Sequence, residues 1–596
     1  MFLQRLLEYA GRLNLPPTLY AEAPVRYLIE LDSAGRPLSP ELVDTADPAS
    51  PRTRRGQLHL VPRVQRTVKV RPQLLADNAE YTLGLGREGS KPERVAECHA
   101  AYLAQLERCA RVTADPAVEA VRRFLAGDGP AGLRLSDDMD RGAAISFRVE
   151  GQWVVDLEAV QAFWAAENDP DADPDRPAPV MQCLICGARR PVLRRLQAKV
   201  KGIPGGQTAG TALISANKEA FESYGLEASL IAPTCAPCGE RVTKALNSLL
   251  ADPAHHTALG GAVLVFWTRE EHPFSLRDLL ESPQPEQVRA LIESVRSGQP
   301  FPRVDETAFY AAVLSASGGR AVVRDWLDTT VAGVKRSLGR WFQRQAIVDA
   351  YGAPPRPLGI YALAAATVRD ARKDLAPPIP RALWHSALTG APLPAGLLAE
   401  AVRRNVAERR VTFQRAALIK LALCGGPWAG REGPADENME DEMVQLDANN
   451  ASPAYRCGRL LAVIEEAQRL AIPGINASVV DRFYGAASTA PASVFGRLLQ
   501  GVRPHLAKLR RDRPAAFRAL QMRLEEIQAG MSGFPRTLSL EEQGLFALGY
   551  YHQRAWDRAQ AREAAARRRA GMAAGPVDEG VAALAEDDAP EKSEEE

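Results

Sequence analysis

The period of the apolar positions changes along this chain, and each change marks a different kind of element. Residues 25–31, VRYLIEL, alternate apolar and polar side chains as a half-buried strand does. Residues 144–149, AISFRV, lead through Glu150-Gly151 into QWVVDL, a pattern that predicts a hairpin. Between them Ser90 stands three residues before Glu93, the spacing of a capping box, and predicts a helix running through Cys109. GERVTKALNSLL, after Cys238, predicts another helix, and GAVLVFW from Gly261 a compact buried strand. From Ser275 to Leu423 the period is mostly helical, punctuated by the joints PQP, PFP, PPRP, PPIP and PLP.

A break in composition at CGGPWAGREGPADENMEDEM separates this region from the C-terminal part of the chain. Residues 455–470, 492–510, 514–529 and 540–569 then repeat apolar positions every three to four residues, with Pro or Gly at the joints. Short connections between such helices imply an antiparallel bundle. The opening MFLQRLLEYAGRL reads as an amphipathic helix, because Arg5, Glu8 and Arg12 interrupt the apolar core a signal sequence needs.

These periods predict an α+β protein of several domains, since 596 residues exceed what one core organises. The expected division is a mixed α/β domain over 1–170, a cysteine-knuckle and glycine-rich module over 171–250 resembling a zinc ribbon, and a mostly helical domain over 251–430. A C-terminal helical bundle over 440–572 and a disordered acidic tail over 573–596 complete it. No apolar run approaches the roughly 20 residues of a membrane span, so a cytoplasmic protein without membrane contact is expected.

Charge changes this picture only once it is located. The chain carries 74 Lys and Arg against 73 Asp and Glu, yet residues 52–71 and 189–201 hold no acid and residues 497–523 hold only Asp512. The compensating acids gather at 436–442 and 578–596. Acid-free basic runs are the footprint of a phosphate-backbone binder, against the plainer reading of solvated surface. Arg63, Arg66, Lys69 and Arg71 in the first run, and Arg503, Lys508, Arg510 and Arg511 in the last, are the expected backbone contacts.

Eight cysteines are too few for a disulfide scaffold in so long a chain. Cys98, Cys109, Cys424 and Cys457 are scattered and read as buried small hydrophobes, whereas Cys183, Cys186, Cys235 and Cys238 form two CxxC knuckles. Each knuckle offers two thiolates, and together they complete the four-sulfur set that zinc favours in closed structural sites. The span between them is longer than the usual ~15 to 20 residues. A redox pair is the competing reading, disfavoured because no thioredoxin-like βαβ pattern surrounds either knuckle; ligands that no longer bind metal are another.

Between the knuckles lies a basic loop of glycines and small polar residues. Gly205, Gly206, Gln207, Thr208, Gly210 and Ser215 offer backbone N–H groups and amide or hydroxyl groups to a minor groove, with Lys201 and Lys218 flanking them as phosphate clamps. Gln207 and Asn217 are the first candidates for direct contact and Asn78 the second. The alternative is that the glycines only permit a tight turn and that Asn217 caps a helix through Tyr224.

Other motifs carry less. The GxGxxG at 84–89 follows a polar segment without a βαβ unit and reads as a turn. The alternating Asp169, Asp171, Asp173 and Asp175 lack the glycine and glutamate of a calcium loop and read as an acidic linker. His255, His256 and His272 have no coordinating spacing and read as surface histidines. The absence of a Walker loop, HExxH or GxSxG argues against an enzyme. A zinc-containing nucleic-acid-processing enzyme and a DNA-binding regulator remain the competing classes.

Several ordered stretches carry a resemblance. RPQLLADNAEYTLG at Arg71, IPGGQTAGTALISANKEAFESYG at Ile203, TKALNSLL at Thr243, FWT at Phe266, LSASGGRAVVRDWL at Leu314, RAALIKL at Arg415, and AYRCGRLLAVIEEAQ through DRFYGAASTAPASVFGRLL are similar to the pattern of one family. The chain resembles the large subunit of the type I-C CRISPR Cascade complex over almost its whole length. The resemblance implies a non-catalytic, cytoplasmic subunit at the foot of a ribonucleoprotein, near the 5′ end of the CRISPR RNA. Such a subunit recognises the protospacer-adjacent motif in double-stranded DNA, promotes R-loop formation, holds the displaced strand and recruits the helicase-nuclease in antiviral defence. Its implied partners are the CRISPR RNA, the Cascade backbone and foot subunits, and a small subunit similar to its own C-terminal region. Translation of that small subunit from an internal start predicts initiation at Met439 or Met443. The two complete CxxC pairs are not required by the family pattern, so zinc rests on spacing alone.

Overall fold

The computed structural model describes residues 2–13, 15–17, 19–47, 55–64, 70–168, 178–196, 198–216, 218–271, 275–296, 306–425 and 443–569. The chain is α+β and divides into two compact units. The first holds residues 1–201, 207–248 and 319–321, the second residues 202–206, 249–318 and 322–596.

In the first unit the alternating segment becomes β1 (Tyr20–Leu31), five residues longer at its start than the sequence predicts. With β2 (Val43–Asp44), β3 (Gln57–Pro62), β4 (Ala76–Asp77), β5 (Ala144–Val149) and β6 (Gln152–Trp153) it forms a sheet of order β2-β1-β5-β4, in which β3 pairs with β1 and β6 with β5. β1 and β5 run parallel, with Ile29 opposite Phe147. Val25, Ile29 and Phe147 meet Tyr102, Phe124 and Trp164 of the covering helices in one buried cluster. The predicted hairpin is present, turning on Glu150 and Gly151 at φ 49° and 78°, but its second arm is only two residues long before a 3₁₀ turn takes over.

The predicted capping box is not there. The helix Pro92–Thr113 starts from Lys91 without a side-chain cap, because the N-cap position falls on a lysine, whose ammonium group cannot accept a hydrogen bond. Ser90 instead donates to Glu80 and accepts from the backbone N–H of Arg87 at 3.2 Å, closing the 84–89 turn. The four scattered cysteines are buried as expected. Burial pushes the Cys109 and Cys457 thiols up to about 12.

The remaining strands of this unit are short: β7 (Val180–Gln182) pairs with β8 (Arg189–Pro191), and β9 (Lys199–Val200) with β10 (Thr211–Ala212). The second unit holds β11 (His256–Leu259), β12 (Ala262–Thr268), β13 (Ala308–Ser317) and most of β14 (Arg320–Thr330), in the order β11-β12-β13-β14. Residues 275–423 are mostly helical, as read, but β13 and β14 within them were not anticipated. FYAAVL is a continuous apolar run because both of its faces are buried, so it lacks the alternation that marks a strand. On one face Leu264, Phe266, Phe309, Ala311 and Val313 share a core with Val334, Leu338 and Trp341 of the helix Val331–Gln345. On the other Tyr310 stacks on Trp326 with ring centroids 5.9 Å apart.

The C-terminal helices match the predicted periods: Pro453–Ala471, Pro491–Asp512, Pro514–Ala529 and Leu540–Arg569. A fifth, Val479–Thr489, was not expected, although Ser478 and Asp481 close a capping box at its start. Helices Pro453–Ala471 and Leu540–Arg569 meet backbone to backbone. A Cβ on Gly458 would lie 2.0 Å from the Phe546 carbonyl oxygen, and one on Gly549 would lie 2.1 Å from that of Tyr455. His255 and His256 bond to backbone carbonyls within their own turn and strand pair, as ordinary histidines do; His272, Asp169 to Asp175 and the 573–596 tail lie outside the described residues.

Candidate metal centre and nucleic-acid interface

The two CxxC knuckles come together. The first tips the β7–β8 hairpin, where Gly187 at φ 74° donates to the Cys183 carbonyl at 2.9 Å. The second starts the helix Ala236–Ala251, with Cys235 just before it and Cys238 in its first turn. All four sulfurs lie within 4.8 Å of one another, and the Cys186 and Cys235 sulfurs are 3.9 Å apart. Tetrahedral zinc with bonds of about 2.3 Å spaces its sulfurs by about 3.8 Å, so the donor set fits. Burial raises the Cys183 thiol, but the backbone N–H groups of Cys186, Cys235 and Ile185 outweigh it and bring it to about 7. Burial pushes the thiols of Cys235 and Cys238 up. Four thiolates this close repel one another strongly without a cation. A divalent ion would remove that penalty, and these four residues could hold one.

The helix that begins at this centre carries its order outward. Glu240 accepts the Leu19 N–H at 3.0 Å, and Lys244 donates to the carbonyls of Pro16 and Pro17 at 2.9 and 3.0 Å. Two turns on, Asn247 bonds both sides of β9: its Oδ1 accepts the Lys201 N–H at 2.8 Å and its Nδ2 donates to the Lys199 carbonyl at 3.0 Å. A side chain thereby does for β9 what a neighbouring strand would, at the point where the glycine-rich loop leaves.

Lys201, Gly205, Gln207, Thr208 and Lys218 are exposed, and Gly206 and Ser215 half-buried. Gly205 has φ 72° with open space where a Cβ would go, as a turn requires. Gly210 is needed for a different reason, since at φ 95° a Cβ would lie 2.8 Å from the Lys199 Cβ. Residues 202–206 belong to the second unit and those from Gln207 onward to the first. Asn217 lies outside the described residues. The alternative helix through Tyr224 is corrected to a three-residue 3₁₀ turn, Glu219–Phe221, followed by a tight turn in which Leu226 donates to Ser223 at 3.0 Å. Tyr224 and Gly225, at φ 56° and 70°, both adopt the left-handed conformation that ends a helix. Tyr224 is 99% exposed.

The second-choice residue, Asn78, lies in a cleft of about 430 Å³ in the first unit, lined also by Arg26, Arg55, Arg63, Gln73, Asp77 and Asp140. Buried Asp77 accepts the N–H groups of Gln73 and Asn78 at 2.7 and 2.8 Å and so folds RPQLLADN back on itself. Asn78 then caps the short helix Ala79–Thr82, its Oδ1 accepting from Glu80 and Tyr81 at 3.1 and 3.3 Å. Its amide nitrogen has no partner among the described residues, which leaves two donors for a ligand. Arg63 donates to Gln73 at 3.2 Å, and Arg26 pairs with Asp44 at 3.3 Å and Asp140 at 3.9 Å. Exposed Arg55 has no ion pair among the described residues. Arg71 is exposed; Arg66 and Lys69 lie outside the described residues. Sequence reasoning did not name Arg26, Arg55, Gln73 or Asp140, although Arg55 and Gln73 stand within stretches it singled out.

On the helix Pro491–Asp512, Arg503, Arg510 and Arg511 are exposed, with Arg503 and Arg510 seven residues apart on one face. Lys508 has another role: its Nζ donates to the Ala471 carbonyl at 2.7 Å and closes the end of the helix Pro453–Ala471.

A family model described as CRISPR-associated protein (Cas_Csd1) matches residues 3–557. No curated protein matches the chain. No helix among the described residues is long and apolar enough to cross a membrane.

Proposed function

Because this chain belongs to the Cas_Csd1 family, the large subunit of type I-C CRISPR systems, we propose that it recognises the protospacer-adjacent motif in double-stranded DNA without chemistry of its own. Family membership places it in a Cascade complex with CRISPR RNA and other Cas subunits. In this reading it promotes duplex opening, the guide reads the rest of the target, and the subunit holds the displaced strand and recruits the helicase-nuclease. The cleft around Asn78 is the observation that carries the reading. It gathers guanidinium and carboxamide groups, the side chains suited to guanine and adenine edges, in one concave place. The loop from Lys201 to Lys218 supplies a second set of donors.

The four thiols hold zinc in this reading, and the metal acts as a clasp: it fixes the helix whose Asn247 holds β9 and the start of the loop. Elemental analysis of the purified chain is expected to give about one zinc; less than about half an equivalent removes the metal from the account. The small subunit starts at Met439 or Met443. Met439 lies outside the described residues, while Met443 is buried and precedes all five C-terminal helices. Gly458 and Gly549 both fall after it, so the shorter product would carry its own tightest helix contact.

The test uses the assembled complex. Asn78→Ser keeps a capping oxygen and removes the amide donors. Asn78→Ser and Gln207→Ala are expected to weaken binding about tenfold for targets with the correct adjacent motif and little for others, while Lys201→Ala weakens all targets about equally. Unchanged discrimination in both amide variants would overturn the reading. DNA cleavage by the isolated chain with Mg²⁺, or tight binding of a fixed operator without guide RNA, would replace it with the enzyme or regulator class.

A further inference from the structure

Residues 329–348 contain Lys335, Arg336, Arg340 and Arg344 and no acid. They form the end of β14 and the helix Val331–Gln345 in the second unit. Its apolar stripe, Val334, Leu338 and Trp341, is buried in the core. Arg336 and Arg340 fall on the opposite side, exposed and one turn apart, which puts their Cβ atoms about 6 Å from each other. Both line a cleft of about 340 Å³ together with Thr329 and Ser337, between Leu327 and Leu388.

None of these four polar side chains has a hydrogen bond or ion pair among the described residues. Other arginines with solvent-facing side chains are paired: Arg87 with Glu80, Arg94 with Glu97, Arg277 with Glu281, Arg403 with Glu400. Asp328 also lines the cleft, but it is engaged in an interaction of its own. Two unpaired guanidinium groups and two unpaired hydroxyls thus line one cleft.

We infer that this cleft binds the phosphate backbone of a single nucleic-acid strand, an inference that rests on the nucleic-acid reading above. Guanidinium forks and hydroxyl donors suit phosphate oxygens. Arg336 and Arg340, one turn apart on the same helix, can reach neighbouring phosphates of one strand. Contacts to phosphate carry no sequence information, so the cleft in this role supplies affinity without sequence preference.

The test titrates the full chain with labelled single-stranded DNA of mixed sequence over a range of potassium chloride concentrations. Replacing Arg336→Gln and Arg340→Gln together is expected to flatten the slope of log affinity against log salt by about 1.4, two phosphates at about 0.7 each. Arg336→Lys with Arg340→Lys is expected to restore most of the slope, because charge rather than shape sets it. Excess inorganic phosphate at constant ionic strength should not displace the strand. An unchanged slope in the glutamine pair overturns the inference, and so does displacement by inorganic phosphate, which would make the cleft a site for a lone anion. If the slope still falls for Arg55→Gln with Arg63→Gln, the reading of the Asn78 cleft survives that failure. A wild-type chain that binds neither strand nor duplex overturns both.

Discussion

The knuckle block of the first unit and the C-terminal helix pair of the second differ in how much backbone contact backs their polar links. From Cys183 to Asn247 order passes through discrete polar links: four sulfurs, Glu240 to Leu19, Lys244 to two proline carbonyls, Asn247 to both sides of β9. In the helix pair Pro453–Ala471 and Leu540–Arg569 close packing is added to such links: the backbones touch at Gly458 and Gly549, the Tyr484 ring lies edge-on to both Phe546 and Tyr550, and Tyr455 with His552, Arg459 with Gln553 and Tyr550 with Glu465 bond across the same contact. A region held by few links loosens locally when one is cut. A region held by contact over its whole length gives way together.

The largest effect should therefore come from Gly458→Ala. The added methyl has no room beside the Phe546 carbonyl, so the helices must separate or lose their register. A loss of about 3 kcal/mol is expected in chemical denaturation, with Gly549→Ala similar. A loss under about 1 kcal/mol would mean that the pair slides freely, and the contrast between the two regions would be broken.

A smaller and confined effect is expected for Asn247→Ala. Two hydrogen bonds to β9 are lost, which costs about 1 to 2 kcal/mol in local terms. Faster amide exchange over residues 199–212, with that of residues 453–471 unchanged, is the expected pattern. A chelator that strips the thiols should reproduce it. If exchange instead rises throughout the first unit, the links are not local and the comparison needs redrawing.

How much of this was legible in sequence depends on how far apart the partners stand. The C-terminal helices were readable because their period and Pro or Gly joints are local, and the thiol set because each CxxC pairs its ligands within one turn. The Asn78 cleft was mostly illegible: Arg26, Arg55, Arg63, Gln73 and Asp140 arrive from β1, the start of β3, its end, a folded-back loop and the approach to β5. The basic helix at 331–345 escaped notice for another reason. Residues 329–348 are free of acid, but their four cations are thinly spread among buried apolar residues, so the run stands out less than the three singled out. The Ser90–Glu93 box failed because the motif is also satisfied by a turn, and Glu80 and the Arg87 N–H reached Ser90 first.

The smallest prediction has the opposite sign, and it sharpens what point-held structure permits. Tyr224 and Gly225 form a two-residue turn with both φ values positive, closed by Ser223 and Leu226. Such a turn favours Asn-Gly, because a bulky side chain in the left-handed region crowds its own carbonyl at a cost of about 1 kcal/mol. The tyrosine ring gains nothing in return within the chain, being 99% exposed. Tyr224→Asn should therefore stabilise the first unit by roughly 0.5 to 1 kcal/mol, visible as a higher thermal midpoint for its transition. Packing would hide so small a gain in the helix pair; in a block fixed by a few links it adds directly. A midpoint that is unchanged or lower would show that the ring has contacts that offset the strain, and that this turn is held by more than its backbone.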